Sequence, residues 1–141
     1  MSVDIKVRGY HLDIYSHVNN GRYLEFLEEG RWDYFDRNRF LEQLGHLDLA
    51  FVLVNININY RRPAYVDETI RVLTRMAKVG NKSAKMAQEV RLVENGQPTL
   101  LIADAEITFC LMDQASQKAI PIEGEVRQLM ESLIEESVSA S

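Results

Sequence analysis

Apolar residues recur with two different periods along the chain, and the first of these periods is helical. Between Gly21 and Phe35 they gather on one helix face, while the opposite face is acidic. The apolar face carries Tyr23, Leu24, Leu27, Gly30, Tyr34 and Phe35. This pattern predicts an amphipathic helix of roughly four turns, with Asn19 or Asn20 as its N-cap residue. A second helical pattern follows Pro121 and predicts a shorter terminal helix.

The second period is the alternation of a β-strand. It is weak at residues 4–8, and it is clear in the segment "FVLVNININYRRPAY", where Pro63 ends the strand, and in the segments 69–79, 84–92 and 101–111. Gly- and Asn-containing turns separate the last three segments, which predicts an antiparallel meander. The order strand, helix, four long strands, helix predicts an α+β fold in which one sheet covers a single long helix.

Composition and charge narrow the class of protein. The chain has 141 residues, of which 46% are hydrophobic and 26% are charged. These values predict one globular domain, 1–136, followed by a flexible tail at 137–141. The net charge of −5 argues against nucleic acid as a partner. The exposed edges of a long antiparallel sheet predict a homodimer.

The compartment is predicted from cysteine usage and from the absence of a targeting signal. Cys110 is the single cysteine, so one chain can form neither an internal disulfide nor a cysteine-based zinc cluster. The sequence has neither a signal-peptide pattern nor an apolar run of membrane-spanning length. We therefore expect a cytoplasmic protein with no membrane partner.

The loop before the long predicted helix concentrates titratable groups, namely His11, Asp13 and His17. A carboxylate beside the unpaired N–H groups of a helix N-terminus suits acyl chemistry, since the amides stabilise an oxyanion while the carboxylate attacks a carbonyl or activates water. Asp13 taken alone is more often a turn residue. The three side chains are also competent metal ligands, but their spacing matches no zinc signature. Ser16 is not in a Gly-x-Ser-x-Gly motif, so it is not expected to be a nucleophile.

Cationic segments offer a place for an anionic group of a ligand. Arg61 and Arg62 follow one predicted strand, and Gly80–Ser83 forms a turn between two others. Cations combined with backbone donors bind phosphate. The alternative is that these residues only keep sheet edges soluble and apart, which is the commoner use of such charges.

Several stretches resemble a known family. They are "KVRGYHLDIYSHVNNGRYLEFLEEGRWDYF", "FVLVNININYRRPA", "GNKSAK" and "ADAEITFCLMD". Over nearly its whole length the chain resembles the hotdog-fold acyl-CoA thioesterases of the 4-hydroxybenzoyl-CoA thioesterase superfamily, and most closely the bacterial long-chain acyl-CoA thioesterase III group. The first stretch is the most specific, because an Asp, three residues and then His-Val-Asn-Asn lead into an acidic helix.

The resemblance implies a function and roles for individual residues. It implies hydrolysis of fatty acyl-CoA without a metal or other cofactor, by a hotdog fold whose antiparallel sheet wraps around one long central helix. Asp13 would be the nucleophile or general base, and His17 would orient the loop or the substrate. The amides of Asn20, Gly21 and Arg22 would polarise the thioester carbonyl. Residues implied in binding the substrate or its coenzyme A moiety are Tyr23, Arg62, Lys82 and Ser83.

The resemblance also implies a homodimer or homotetramer with active sites at subunit interfaces. Two other functions remain open on the same fold. An enoyl-CoA hydratase or dehydratase also uses an Asp and a His, although at a longer spacing than that of Asp13 and His17. A noncatalytic acyl-CoA-binding protein is the other alternative, because fold does not determine function.

Overall fold

The computed structural model describes the backbone of residues 1–140 and the side chains of residues 1–136. The flexible tail predicted at 137–141 lies outside the residues whose side chains are described. The chain divides into two compact units. The first comprises Met1–Tyr34, Ile58–Thr74 and Gln88–Ala105, and the second comprises Phe35–Asn57, Arg75–Ala87 and Glu106–Ser141. The single-domain prediction for 1–136 stays a prediction.

Residues 1–140 contain three α-helices, of which the longest, α1, spans Asn20–Arg37. Its N-cap is Asn19, whose Oδ1 accepts a 2.9 Å hydrogen bond from the Gly21 N–H, as the sequence predicts. The buried face differs from the predicted one by a small rotation. Phe26 is 5% exposed, whereas Leu24 is 44% exposed. The other helices are α2, Phe40–His46, and α3, Gly124–Ala140.

The strands form one sheet in the order β1-β3-β4-β5-β2, with a short β6 paired to β5. Their bounds are β1 Ser2–Lys6, β2 Leu49–Tyr60, β3 Thr69–Val79, β4 Ser83–Glu94, β5 Gln97–Asp113 and β6 Lys118–Ala119. The α+β class with an antiparallel sheet is therefore confirmed. Asn95 and Gly96, the two residues between β4 and β5, both have positive φ angles, 54° and 77°. This is the conformation that an Asn-Gly hairpin turn requires.

Strand β2 lies at one edge of the sheet, and none of its side chains is buried. Val54 is 52% exposed although its alternation pattern is apolar. Three elements were not predicted because they are too short to show a period: the 3-10 helix Gly9–His11, the seven-residue α2 and the two-residue β6. No described helix is both long enough and apolar enough to cross a membrane.

In the first unit, a buried polar network joins α1 to β3 and β4. The Gln88 side-chain amide donates to the Leu27 carbonyl of α1 and to Thr74 Oγ1, each at 2.9 Å. Arg31 Nη1 donates to Gln88 Oε1 at 3.1 Å. These partners satisfy Gln88, which is only 1% exposed, so the network fixes the height and rotation of the helix on the strands.

The second unit has an aromatic cluster of four phenylalanine residues. The rings of Phe51 and Phe109 stack with centroids 4.3 Å apart, and those of Phe35 and Phe40 stack at 5.2 Å. Helix α3 is tied to the turn between β3 and β4, because the Ile122 N–H donates to the Asn81 carbonyl at 2.8 Å. Aromatic pairs of this kind add to the stabilisation that burial of their apolar surface provides.

Candidate functional site

The loop before α1 is a tight hairpin held by backbone hydrogen bonds. Leu12 and Val18 form an isolated antiparallel bridge. The Asp13 N–H donates to the His17 carbonyl at 2.8 Å, and the Ser16 N–H donates to the Asp13 carbonyl at 3.1 Å. Ser16 has a φ of 62°, which allows the chain to reverse direction there. Asp13 is thereby held on a fixed backbone.

The half-buried Asp13 carboxylate uses one oxygen for the loop and leaves the other free. Oδ1 accepts the Tyr15 N–H at 2.8 Å and the His17 N–H at 3.3 Å. This is the turn role that the sequence offers as the alternative to a catalytic one. Within the described part of the chain, Oδ2 accepts no hydrogen bond. The turn role and a catalytic role are thus compatible, because the turn uses Oδ1 and leaves Oδ2 for the reaction.

The first amides of α1 differ in whether they are already bonded. The Gly21 N–H donates to Asn19 Oδ1, and the Arg22 N–H donates to the Asn19 carbonyl, both at 2.9 Å. The Asn20 N–H has no acceptor among residues 1–136. Of the three amides predicted to polarise a carbonyl, Asn20 is therefore the one that is available without breaking the N-cap.

Asp13 and Asn20 both line an open cleft of about 330 Å³. It lies wholly in the first unit. Its walls are Asp13, His17, Val18, Asn20, Tyr23, Tyr60, Arg61, Arg62 and Pro63. Five of the nine residues predicted for the site are in this group. Gly21 and Arg22 are next to it in sequence but are not part of its walls, whereas Lys82 and Ser83 belong to the second unit.

Two tyrosine residues at the cleft lie in different environments. Tyr23 is 2% exposed, and burial raises the pKa of its phenol to about 12, although the nearby Ala64 backbone opposes the rise. Tyr60 is 48% exposed, and its hydroxyl donates to the Asn20 carbonyl at 3.2 Å. The two rings meet edge to face with centroids 5.5 Å apart. Tyr23 is thus a buried wall of the cleft, whereas Tyr60 is open to solvent.

His17 is oriented by a chain of contacts that continues to an ion pair. Its ring meets the Tyr65 ring edge to face at 5.1 Å. The Arg62 guanidinium lies 5.6 Å from the centre of the Tyr65 ring and pairs with Glu68 at 3.2 Å. Glu68 also accepts the Tyr65 N–H at 2.7 Å. Arg62 and Glu68 therefore hold the aromatic side chain against which the histidine rests.

The cationic residues of the cleft already have protein partners. Arg61 pairs with Asp104 at 2.9 Å, and this contact holds the pKa of the Asp104 carboxyl below its usual value. Arg62 pairs with Glu68 as described above. An anion bound here would have to share these guanidinium groups or displace the carboxylates.

His11, which the sequence offered as a metal ligand together with Asp13 and His17, is buried and does not line the cleft. It is 7% exposed, and its Nδ1 accepts the Arg8 N–H at 2.9 Å. Burial is the main reason that the pKa of His11 is lowered, so the ring is neutral near pH 7. Among the described residues no three His, Cys, Asp or Glu side chains are grouped as metal ligands. His11 supports the loop.

Tyr60 was missed by the sequence analysis. Its alternation places it on the apolar face of a strand, where a tyrosine is usually a packing residue. The tertiary contact between the end of β2 and the start of α1 brings it into the cleft. The sequence signal that could have identified Tyr60 as a site residue is its position at the end of a predicted strand, directly before Arg61, Arg62 and Pro63.

The chain is similar to proteins with assigned activity. The family model described as the Thioesterase-like superfamily matches residues 7–130. The long-chain acyl-CoA thioesterase FadM of Escherichia coli is 46% identical over 134 residues, covering 95% of this chain and 99% of that protein. The acyl-CoA thioesterase YbgC of Haemophilus influenzae is 31% identical over 112 residues, covering 78% of this chain and 79% of that protein.

Comparison of structures agrees with the comparison of sequences. The crystal structure of YbaW, a probable thioesterase from Escherichia coli, superposes with a TM-score of 0.86 at 46% identity, covering 95% of this chain and 98% of that one. This chain belongs to the Thioesterase-like superfamily.

Proposed function

We propose that this protein is an acyl-CoA thioesterase that hydrolyses fatty acyl-CoA, with long acyl chains as the preferred substrates. Membership of the family and the name of the Escherichia coli relative support the reaction class. The observation that carries the proposal is that one cleft is lined by Asp13, which has a carboxylate oxygen without a donor, and by Asn20, whose N–H has no acceptor among residues 1–136. A carboxylate and an amide so placed are what hydrolysis of a thioester needs.

In the proposed reaction, the Asp13 carboxylate either attacks the thioester carbonyl carbon or removes a proton from the attacking water. The first route forms an acyl-enzyme anhydride that water then splits, and the second forms the tetrahedral intermediate directly. Both routes yield a free fatty acid and coenzyme A. The Asn20 N–H, at the positive end of α1, stabilises the negative oxygen that forms in either route.

His17 has an orienting role in this proposal. Its backbone N–H bonds to Asp13 Oδ1, and its ring rests on Tyr65. The first contact holds Oδ1 of the carboxylate and leaves Oδ2 without a protein donor. The sequence motif gives His17 a place in the site, and its contacts favour holding the loop over direct proton transfer.

The coenzyme A moiety is proposed to contact Arg62, with Lys82 and Ser83 at the turn between β3 and β4 as further contacts. Arg62 lines the cleft, which supports its part of the proposal. Its pairing with Glu68 means that a phosphate gains less there than at an unpaired arginine. The amides of Gly21 and Arg22 remain secondary candidates for the thioester carbonyl, because both are used by the N-cap.

We further propose a hotdog fold that assembles as a homodimer or homotetramer in the cytoplasm, with the active sites at subunit interfaces. The unburied side chains of the edge strand β2 support a partner there. Val52, Leu53 and Val54 of this strand are between 38% and 52% exposed, which favours contact with a second subunit over contact with water.

Release of free thiol from a panel of acyl-CoA esters tests the proposed function. The panel contains short, medium and long fatty acyl chains and one benzoyl ester, each supplied as substrate to the purified protein. We expect turnover of fatty acyl esters with the highest kcat/KM for long chains. Thiol release restricted to the benzoyl ester would contradict the fatty acyl assignment, and absence of release from every ester would contradict thioesterase activity.

A further inference from the structure

The cleft has one free backbone donor where oxyanion stabilisation ordinarily uses two. The Asn20 N–H is available, but the next two amides are bonded to Asn19. Sites that stabilise a tetrahedral intermediate commonly place two or more donors on the developing oxyanion. If the cleft hydrolyses thioesters, a hydroxyl that lines it can supply the second donor without breaking the N-cap. This inference therefore rests on the proposed function.

Tyr60 is placed to be that donor. It is the last residue of β2, it lines the cleft with Asp13, and its hydroxyl lies 3.2 Å from the carbonyl oxygen of Asn20. The residue that provides the free amide is thus one hydrogen bond away from the hydroxyl. The ring is held edge to face against Tyr23, so the hydroxyl can change its acceptor by rotating its O–H bond while the ring stays in place.

The other phenol of the cleft does not fit this role. Tyr23 is only 2% exposed. Tyr60 is 48% exposed, so a substrate can reach it. The Arg61 and Arg62 guanidinium groups are engaged by Asp104 and Glu68. An exposed hydrogen bond from a phenol to a helix carbonyl is readily exchanged, because that carbonyl is already in reach of a helical N–H.

We propose that the Tyr60 hydroxyl is a catalytic hydrogen-bond donor, which moves from the Asn20 carbonyl to the thioester carbonyl oxygen when substrate enters. Attack on the carbonyl carbon moves the π-electron pair onto that oxygen, where the Tyr60 O–H and the Asn20 N–H both donate. Tyr60 keeps its proton throughout. Collapse of the intermediate returns the electron pair to carbon, breaks the carbon–sulfur bond and releases coenzyme A thiolate, which takes a proton from water.

Tyr60→Phe is the informative variant, because it removes the hydroxyl and keeps the ring against Tyr23. We expect kcat on the best acyl-CoA to fall about 10²-fold, the scale of losing one oxyanion donor, with KM changed far less. Tyr10→Phe is the matched control. Tyr10 is 70% exposed, lies outside the cleft, and its hydroxyl has no described partner, so its loss should leave kcat unchanged.

A spectroscopic measurement separates a donor from a merely structural residue. Acyl-CoA labelled with ¹³C at the carbonyl is bound to Asp13→Asn protein, and its carbonyl stretching frequency is measured by isotope-edited infrared spectroscopy. We expect the frequency to rise when Tyr60→Phe is added, because a carbonyl that loses a donor has a stronger C=O bond. 3-Fluorotyrosine at position 60, a stronger donor of the same shape, should lower the frequency.

The kinetic and infrared results distinguish the donor role of Tyr60 from the proposed thioesterase function. Normal kcat in Tyr60→Phe, or a lowered kcat with no change in carbonyl frequency for either replacement, would overturn the donor role. Failure of the wild-type protein to hydrolyse any acyl-CoA would instead overturn the proposed function itself. If the wild type is active and only the Tyr60 results fail, thioesterase activity stands without this residue.

Discussion

Gly30 lies where α1 comes closest to the sheet, and replacing it with alanine tests the packing of the first unit. A Cβ at this position would lie 2.5 Å from Val72 Cγ1, 2.9 Å from Thr74 Oγ1 and 3.1 Å from Gln88 Nε2. Carbon atoms in contact are ordinarily about 3.5–4.0 Å apart, so the neighbours would have to move by about 1 Å. Val72 is fully buried, and Gln88 is bonded to the helix itself.

Two effects of Gly30→Ala oppose each other. Overpacking a buried contact costs about 1–3 kcal/mol. The upper part of that range applies because Val72 is buried and the Thr74 and Gln88 side chains are hydrogen-bonded to each other. The gain in helix propensity from glycine to alanine is about 1 kcal/mol. The net prediction is a loss of about 2 kcal/mol in the free energy of unfolding, with a fall in Tm of about 6 °C for a chain of this size.

Gly45→Ala provides the matched control in α2. A Cβ there would have no other atom within 4 Å, so only the propensity gain remains. Urea unfolding followed by circular dichroism, with equal m-values for the three proteins, gives the comparison. We expect Gly30→Ala to be less stable than wild type and Gly45→Ala to be as stable or more stable. A Gly30→Ala protein as stable as wild type would refute the close approach of helix and strands.

Three further predictions follow from the site and its surroundings. The pKa of Tyr23 is raised to about 12, from about 10 in an unfolded chain, so between these values the folded protein binds more protons than the unfolded chain. The free energy of unfolding should therefore fall as the pH rises from 9 to 12, and Tyr23→Phe should flatten this fall. Asn19→Ala should lower the unfolding free energy by about 1 kcal/mol in urea titrations, while Asn19→Ser retains most of it; equal stability of Asn19→Ala and wild type would exclude the cap. His17→Ala should lower kcat less than Asp13→Asn in a thiol-release assay, and an equal loss would give His17 a direct chemical role.

Local periodicity was sufficient to predict most of the secondary structure. Strand β3 has the predicted bounds, and β4 and β5 extend the predicted segments by a few residues. The N-cap Asn19 and the turn at Asn95 and Gly96 follow from chemistry that depends only on neighbouring residues. These features are predictable because the physical cause lies within a few residues of the effect.

Contacts between distant segments were not predictable in the same way. The bond from Gln88 to Leu27 joins residues 61 positions apart, and no periodicity encodes it. Phe26 is buried in place of Leu24 because the tertiary environment, and not hydrophobicity alone, sets the rotation of α1. Tyr60 enters the cleft for the same reason, through a bond to a residue 40 positions earlier. The motif around Asp13 was recognisable because its residues are contiguous.

The most direct test of the central claim is the kcat of Asp13→Asn on the best acyl-CoA substrate, compared with that of wild type and of Asp67→Asn. Asp67 is exposed and has a φ of 67°, a conformation that asparagine adopts readily, so its change serves as a matched control. We predict a loss of about 10²-fold or more for Asp13→Asn, since a nucleophile or general base is removed without a change of shape. Asp67→Asn should turn over at the wild-type rate. Retention of most activity by folded Asp13→Asn protein would contradict the proposed mechanism.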